Sequence, residues 1–406
     1  MQLSKLHKPT ITASLLLLML IALFVSRAAL SITVIAFAII TIALYRVQVW
    51  HTLCNSKYVQ VYLVLLGILL LSICLGGSTA AWWHAVVIKL PLIIFPLLYA
   101  SITITNTARY MIISAFIILV LSGTVYSMGM YYLYSDGILN SYKYAKVLPT
   151  WLGGDHIRFS WCVVVALLLS QVQLKQMHST KLKVINVVLQ VWLCIYLHIL
   201  GSKTGLVLLY TTILLGLLYA IVYLKKYTYA PYLLLLCLCP VVAYYTIPTF
   251  ASRVHYMWYD YTMYSQGRYL TGLSDGARVL SIKAGLATVS TQPWLGIGYG
   301  HIDAAMAQYY KAHTALQPYE YIWPSSQWLV AATTIGVVGG SILLLCVVYP
   351  FFILRLRKQA IFYFFYIPTL ITLLFEIPLE GQYGVFIFAF FTNWFVYLHN
   401  PNYNAT

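Results

Sequence analysis

Long apolar runs recur almost end to end along this chain, interrupted only by a few charges and by glycine or proline. Runs of about 17–25 apolar residues can cross a hydrocarbon core of about 30 Å as helices, and hydrocarbon tolerates no lipid-exposed irregular backbone. Breaking the runs at charges and at Gly/Pro predicts about twelve spans, roughly 10–26, 28–45, 59–76, 82–100, 109–127, 159–174, 182–200, 204–224, 230–247, 327–349, 359–379 and 383–398. The expected fold is therefore all-α, a polytopic integral membrane protein. The basic then apolar N-terminus has the order of a signal peptide, but another apolar run follows after only SRAA. It is read as an uncleaved first span.

Two polar stretches are long, at about 128–158 and about 248–326. The expected organisation is a bundle of nine spans over 1–247, a large loop over 248–326, and three further spans with a short tail over 327–406. Within the large loop, SDGARVLSIKAGLATVSTQPW has apolar residues at helical spacing (Val279, Leu280, Ile282, Leu286, Val289), with Ser274 or Asp275 able to cap its start and Pro293 to end it. An amphipathic helix is expected there.

Composition sharpens this reading. Of 406 residues, 62% are hydrophobic and 8% charged, where a soluble domain carries about 25%. With the N-terminus cytoplasmic, the inner connections hold Arg46, Lys57, Arg109, Lys175, Lys181, Lys183, Lys225, Lys226, Arg355, Arg357 and Lys358, as the positive-inside bias requires. The acids all fall on the outer side, and both termini are expected inside. The seven cysteines lie in or beside apolar segments and read as small buried hydrophobes.

The outer side also carries Lys143, Lys146, Arg158, Lys203, Arg253, Arg268, Arg278, Lys283 and Lys311. This many cations against eight acids points to an anionic ligand, and Arg suits bidentate phosphate recognition; ordinary solvated loop charge would produce the same excess. Lys203, in GSKTG, is held at the membrane edge among small residues. It resembles the end of a nucleotide-binding loop, but the first glycine and the strand-turn-helix context are missing. Lys89 lies inside a span, where an ionisable residue marks function unless it merely snorkels or pairs, and Glu376 is the reciprocal carboxylate. Arg278 sits in the first turn of the amphipathic helix, where a bound anion would satisfy both guanidinium and helix N-terminus. Downstream, QPWLGIGYG permits a tight turn, and His301, Asp303, His313 and Glu320 are the plausible proton acceptors before Pro324-Ser325-Ser326-Gln327 opens a span. Ser326 and Gln327 are expected to cap that helix. No metal-ligand spacing is present.

ARVLSIKAGLATVSTQPWLGIGYG resembles the core signature of the O-antigen ligase and polymerase superfamily. PSSQWLVAATTIGVVGG is similar to its P-H-[NSQ] element with G-x-x-G beyond, at Pro324, Ser326, Gly336 and Gly339; GSKTG resembles G-S-R-T-G, and DHIRFSW places Arg158 as the family places an arginine. The resemblance implies a metal-independent, inverting glycan transfer on the periplasmic face of the bacterial inner membrane. The implied donor is a glycan on undecaprenyl diphosphate and the acceptor a sugar hydroxyl of lipid A-core, with membrane lipids around them and no cofactor or nucleic acid involved. Arg278, Lys203, Arg158 and Arg268 are the candidates for binding the diphosphate; His313, Glu320 and Ser325 are the candidates for the catalytic role, with His301 and Asp303 as alternative bases and Lys89, Ser326 and Gln327 as further candidates. Two departures stand out: Lys203 replaces an arginine, and Ser325 stands where ligases carry the histidine taken as base. A polysaccharide polymerase of the same superfamily is the alternative. A lipid-linked sugar transporter fits less well, because no inverted repeat is detectable and the polar residues collect on one face.

Overall fold

The computed structural model describes residues 3–142, 147–267, 275–313, 321–353 and 359–399. Among them the chain is helical, with no β-strand beyond an isolated bridge between Gly77 and Gly300. Helices α1 (Leu3–Val25) and α2 (Arg27–Leu44) pair as a hairpin. A short α3 (Arg46–Asn55) then leads to α4 (Lys57–Leu71), α5 (Thr79–Ser101), α6 (Asn106–Leu133) and the short α7 (Ser135–Tyr142). The bundle continues with α8 (His156–Leu174), α9 (Thr180–Leu200), α10 (Lys203–Leu218) and α11 (Pro231–Thr246). Then come α12 (Pro248–Ser265), α13 (Asp275–Thr291) and α14 (Ile302–His313), followed by α15 (Gln327–Val348), α16 (Ala360–Thr372) and α17 (Gln382–Asn393).

Ten segments are long and apolar enough to cross a membrane, which makes this a multi-pass membrane protein. Their outward faces leave large apolar side chains exposed, such as Ile32, Ile35 and Ile39 on α2 and Val184, Ile185 and Val188 on α9. Contiguous exposure of this kind suits lipid and not water. At the centre stands α17, buried on every side from Tyr383 and continued by a π-helical turn through Leu398. Its phenylalanines meet those of its neighbours: Phe386 is 5.8 Å from Phe95, and Phe391 is 4.8 Å from Phe116, between ring centroids. A helix apolar all round is a core helix, and its shortness follows from what precedes it.

The span expected at 359–379 stops at Thr372. Leu373–Gly381 is non-α-helical, with Pro378 opening a single 3-10 turn, so its carbonyls are available to other elements. The aromatic stretch that precedes the amphipathic helix is itself helical: α12 buries Thr249, Arg253, Tyr256 and Asp260, positions spaced by four, three and four.

Helix α15 is broken inside the bundle. Gly336, about 14 Å along it from Gln327, has φ 68° and ψ −178°, and the turn Pro293–Gly300 enters the gap. The freed carbonyls of Thr333 and Thr334 accept from Ile297 and Gly298 at 2.9 Å, and the freed N–H groups of Val337 and Val338 donate to Pro293 and Trp294 at 2.8 and 3.3 Å. Every backbone group exposed by the break is thus paired within protein, the condition for non-helical backbone at membrane depth. The turn is held from its other side by Gly77, whose Cβ, were one present, would lie 2.5 Å from the Gly300 carbonyl carbon.

Candidate functional site

Four helix starts and the Leu373–Gly381 turn meet at one end of the bundle. Asp155 caps α8 by accepting from the Arg158 N–H at 3.0 Å, which sets Arg158 in the first turn. In GSKTG, Gly201 closes α9 in the left-handed conformation. Ser202 caps α10, while Gly205 lets α10 approach Ser160 of α8, whose hydroxyl lies 3.2 Å from that of Ser202. Lys203 and Thr204 therefore emerge beside Arg158.

Glu376, 7% exposed, is the shared target of Arg158, Thr204 and Arg278. Its Oε1 accepts from Arg278 Nη2 at 2.7 Å and from Thr204 Oγ1 at 3.0 Å, and its Oε2 lies 3.8 Å from Arg158 Nη1. Arg278 also donates to the Phe375 carbonyl at 3.1 Å and Arg158 to that of Ile377 at 3.3 Å. At 3.8 Å the Arg158 contact is an ion pair without a hydrogen bond, so Oε2 keeps lone pairs open to a further donor.

The anion expected at the α13 N-terminus is supplied by the chain itself. Asp260 of α12 accepts from the Asp275 and Gly276 N–H groups at 2.6 and 3.1 Å, and Arg278 turns away to Glu376. Asp275, one of the two expected caps, is thus capped by Asp260, and Ser274, the other, lies outside the described residues. Lys203 is paired with Asp275 at the open edge of the cluster, with side chains 25% and 36% exposed. Arg253, buried against Gly201, lies among these charges, and its burial lowers its pKa from the ordinary guanidinium value. Four cations (Arg158, Lys203, Arg253 and Arg278) and four carboxylates (Asp155, Asp260, Asp275 and Glu376) thus interleave in one place.

The Pro324–Gln327 segment borders this cluster from α15. Ser325 is tied to Ser281 of α13: its N–H donates to Ser281 Oγ at 3.0 Å, and the two hydroxyls are 3.0 Å apart. Ser281 also lies within donating distance, 2.7 Å, of the Arg278 carbonyl. These contacts position Ser325 and provide it with no proton acceptor stronger than a hydroxyl.

The expected caps of α15 do not form. The Gln327 N–H is satisfied by the carbonyls of Leu373 and Glu376 at 2.9 and 3.1 Å, and Ser326 makes no side-chain cap. The Leu373–Gly381 turn has displaced the side-chain cap, because it presents carbonyls directly over the helix start. Gln327 instead reaches inward, donating to Glu380 at 2.7 Å and accepting from the Leu379 N–H at 2.9 Å.

Glu380 is the partner of the intramembrane Lys89, at 2.5 Å, and the ammonium lies 4.5 Å from the Tyr299 ring centre. Both charged side chains are about 5% exposed. Their role is to lock α5, the Gly-rich turn and α15 together behind the site, because the pair is sealed from it. Lys89→Met is expected to destabilise the protein by about 3–5 kcal/mol, because it strands a buried carboxylate, and the double change with Glu380→Gln to recover much of that. Thermal unfolding in detergent reads both; a double variant no more stable than the single would refute the pairing argument.

The remaining proton acceptors are not gathered at Glu376. His313 ends α14 exposed, stacked on Tyr309 at 4.0 Å and bonded to its carbonyl. Asp303 accepts from Trp323 Nε1 at 2.7 Å and so anchors the segment before Ser325. His301 is exposed beside Gly76. Tyr310, its phenol pushed up to about 12 by burial, pins α14 to α13 through the Ala277 carbonyl at 3.3 Å. Glu320 and Arg268 lie outside the described residues. The sequence had singled out Arg158, Lys203 and Arg278, and the structure brings these together; Thr204, Asp260, Ser281 and Glu380 were missed. Of these, only Asp260 left a trace, as the last member of the buried stripe on α12.

Residues 188–344 match the sequence model of a family described as O-Antigen ligase. No curated protein matches the chain. The matched stretch includes GSKTG, α12 to α14, the Gly-rich turn, Ser325 and the break in α15. Arg158, Glu376 and the Lys89–Glu380 pair lie beyond it.

Proposed function

We propose that this chain, for which the match over residues 188–344 supports membership of the O-antigen ligase superfamily, is an inverting glycosyltransferase. In this reading it moves a glycan from undecaprenyl diphosphate to a sugar hydroxyl of lipid A-core, on the periplasmic face of the inner membrane. The supporting observation is the convergence of Arg158, Thr204 and Arg278 on Glu376, with Lys203 paired to Asp275 beside them, at a bundle end bordered by Ser325.

The chemistry follows from the charges. The Lys203–Asp275 pair is the most exposed in the cluster, and such pairs contribute only about 0–1 kcal/mol. An arriving diphosphate can therefore take Lys203 at little cost, and a flexible ammonium suits that exchange better than a rigid fork. Arg278 and Arg158, already oriented, face the charge that grows on the diphosphate as the glycosidic C–O bond breaks and the electron pair leaves with phosphate. The acceptor oxygen forms the new bond to the anomeric carbon, and its proton passes to Glu376 Oε2. Neither metal nor nucleotide enters, since the lipid–diphosphate bond carries the energy.

Deleting the gene is expected to leave lipid A-core uncapped while lipid-linked polymer accumulates, and neither Arg278→Ala nor Lys203→Ala is expected to restore capping. Membrane extracts resolved by gel electrophoresis read this directly. Cores capped by single repeats would select the second reading, a polymerase, which Ser325 in the histidine position favours. Full capping by both variants would remove the assigned roles.

A further inference from the structure

A large cavity lies at the end of the bundle opposite the Glu376 cluster. It has a volume of about 930 Å³ and is enclosed by α8, α9, α10 and α16. Arg158 and Lys175 stand at the two ends of α8, about 25 Å apart, so this space is separate from the glycan-transfer site. Its depth is apolar, with Leu168, Leu209 and Ile213 in the wall, and Lys175 and Lys226 stand at its margin; no carboxylate lines it.

Two polar groups in its wall have no partner. Gln359 buries both Nε2 and Oε1 with no hydrogen bond, and His399 likewise leaves Nδ1 buried and unbonded. Buried amides and imidazoles are seldom left unsatisfied, because each such atom has given up its hydrogen bonds to water without replacing them. An apolar cleft with orphaned donors and acceptors and two unopposed ammonium groups matches an amphiphile with acyl chains, a polar ester region and an anionic head. Its volume is at the upper end of the range of about 300–1,000 Å³ seen for small-molecule sites.

We propose that this cavity is a binding site for an anionic phospholipid. Its phosphate lies between Lys175 and Lys226, its ester oxygens accept from Gln359 Nε2, a head-group hydroxyl donates to Gln359 Oε1, and one or both chains fill the space between α8, α10 and α16. By the Lys/Arg asymmetry this is the cytoplasmic end, where anionic lipid is available and basic pockets between helices take such head groups. The bound lipid supports α8 and α10 from below, the two helices whose other ends present Arg158 and Lys203.

The test uses the full chain, purified in detergent and stripped of lipid, then titrated with mixed micelles of phosphatidylglycerol or phosphatidylcholine. Melting temperature and native mass spectrometry provide the readouts. Phosphatidylglycerol is expected to remain bound and to raise the melting temperature, and Lys175→Ala/Lys226→Ala to weaken retention about 30-fold. Gly216→Phe supplies a steric test that leaves the charges intact. Gly216 lines the cavity with open space where its Cβ would be, so the ring is expected to project into the space a chain would take and weaken lipid retention. Equal retention of phosphatidylcholine, an equal shift from inorganic phosphate alone, or full retention by the double lysine variant or by Gly216→Phe would each overturn the proposal.

Discussion

Glu376→Gln is expected to reduce glycan transfer by about 10²–10⁴-fold, the range for loss of a positioned general base, while the protein still inserts and folds. Ser325→Ala is expected to change transfer by less than about tenfold, since its hydroxyl only exchanges hydrogen bonds with Ser281. The contrast follows from proton capacity. Glu376 has an oxygen near the cations with no hydrogen bond to it, whereas Ser325 has no acceptor behind it to make its hydroxyl a base. Glutamine keeps the side chain's volume and can still accept from Thr204 and Arg278, so retained melting behaviour separates lost chemistry from lost structure. Transfer assayed with purified donor and acceptor decides the matter; a dead Ser325→Ala beside an active Glu376→Gln would reverse the assignment.

Gly336→Ala is expected to abolish folded protein, and Gly340→Ala, one turn further on, to be neutral or slightly stabilising. At Gly336 a Cβ would lie 2.1 Å from the Trp294 carbonyl oxygen, and φ 68° with ψ −178° is a region essentially confined to glycine that costs an alanine about 1–3 kcal/mol before any clash. The clashing atom belongs to the backbone, and that backbone is fixed by four hydrogen bonds into the break, so nothing can yield. At Gly340 the nearest atom is 3.8 Å away and the residue is helical, so alanine gains up to about 1 kcal/mol of helix propensity. Detergent-solubilised yield with a fluorescence size-exclusion profile distinguishes the two. A monodisperse Gly336→Ala would mean that the Pro293–Gly300 turn does not occupy the break.

Much of the bundle was legible because hydrocarbon imposes length and apolarity on every crossing segment. Where the expectation failed, a local rule gave way to a distant group. The span expected at 359–379 stops at Thr372 because its last residues serve Arg158, Arg278 and Gln327. The cap expected from Ser326 was replaced by carbonyls of Leu373 and Glu376. The break at Gly336 could not be read from an apolar run with unexceptional glycines, since the groups that satisfy it lie some forty residues earlier.

The sequence by itself determined an all-α membrane protein, the side on which its polar chemistry collects, and three cations that end up in one cluster. Hydrophobic length and residue type are local properties, and each is written wherever it acts. Only the tertiary structure decided which carboxylates those cations hold, Glu376 for Arg158 and Arg278 and Asp275 for Lys203. Glu376 is 98 residues from Arg278 and 172 from Thr204, and no periodicity links them. Charge pairing across such separations depends on which helix ends the packing brings together, and here that is settled by Gly205 against Ser160 and by a glycine-lined turn inserted into a broken helix.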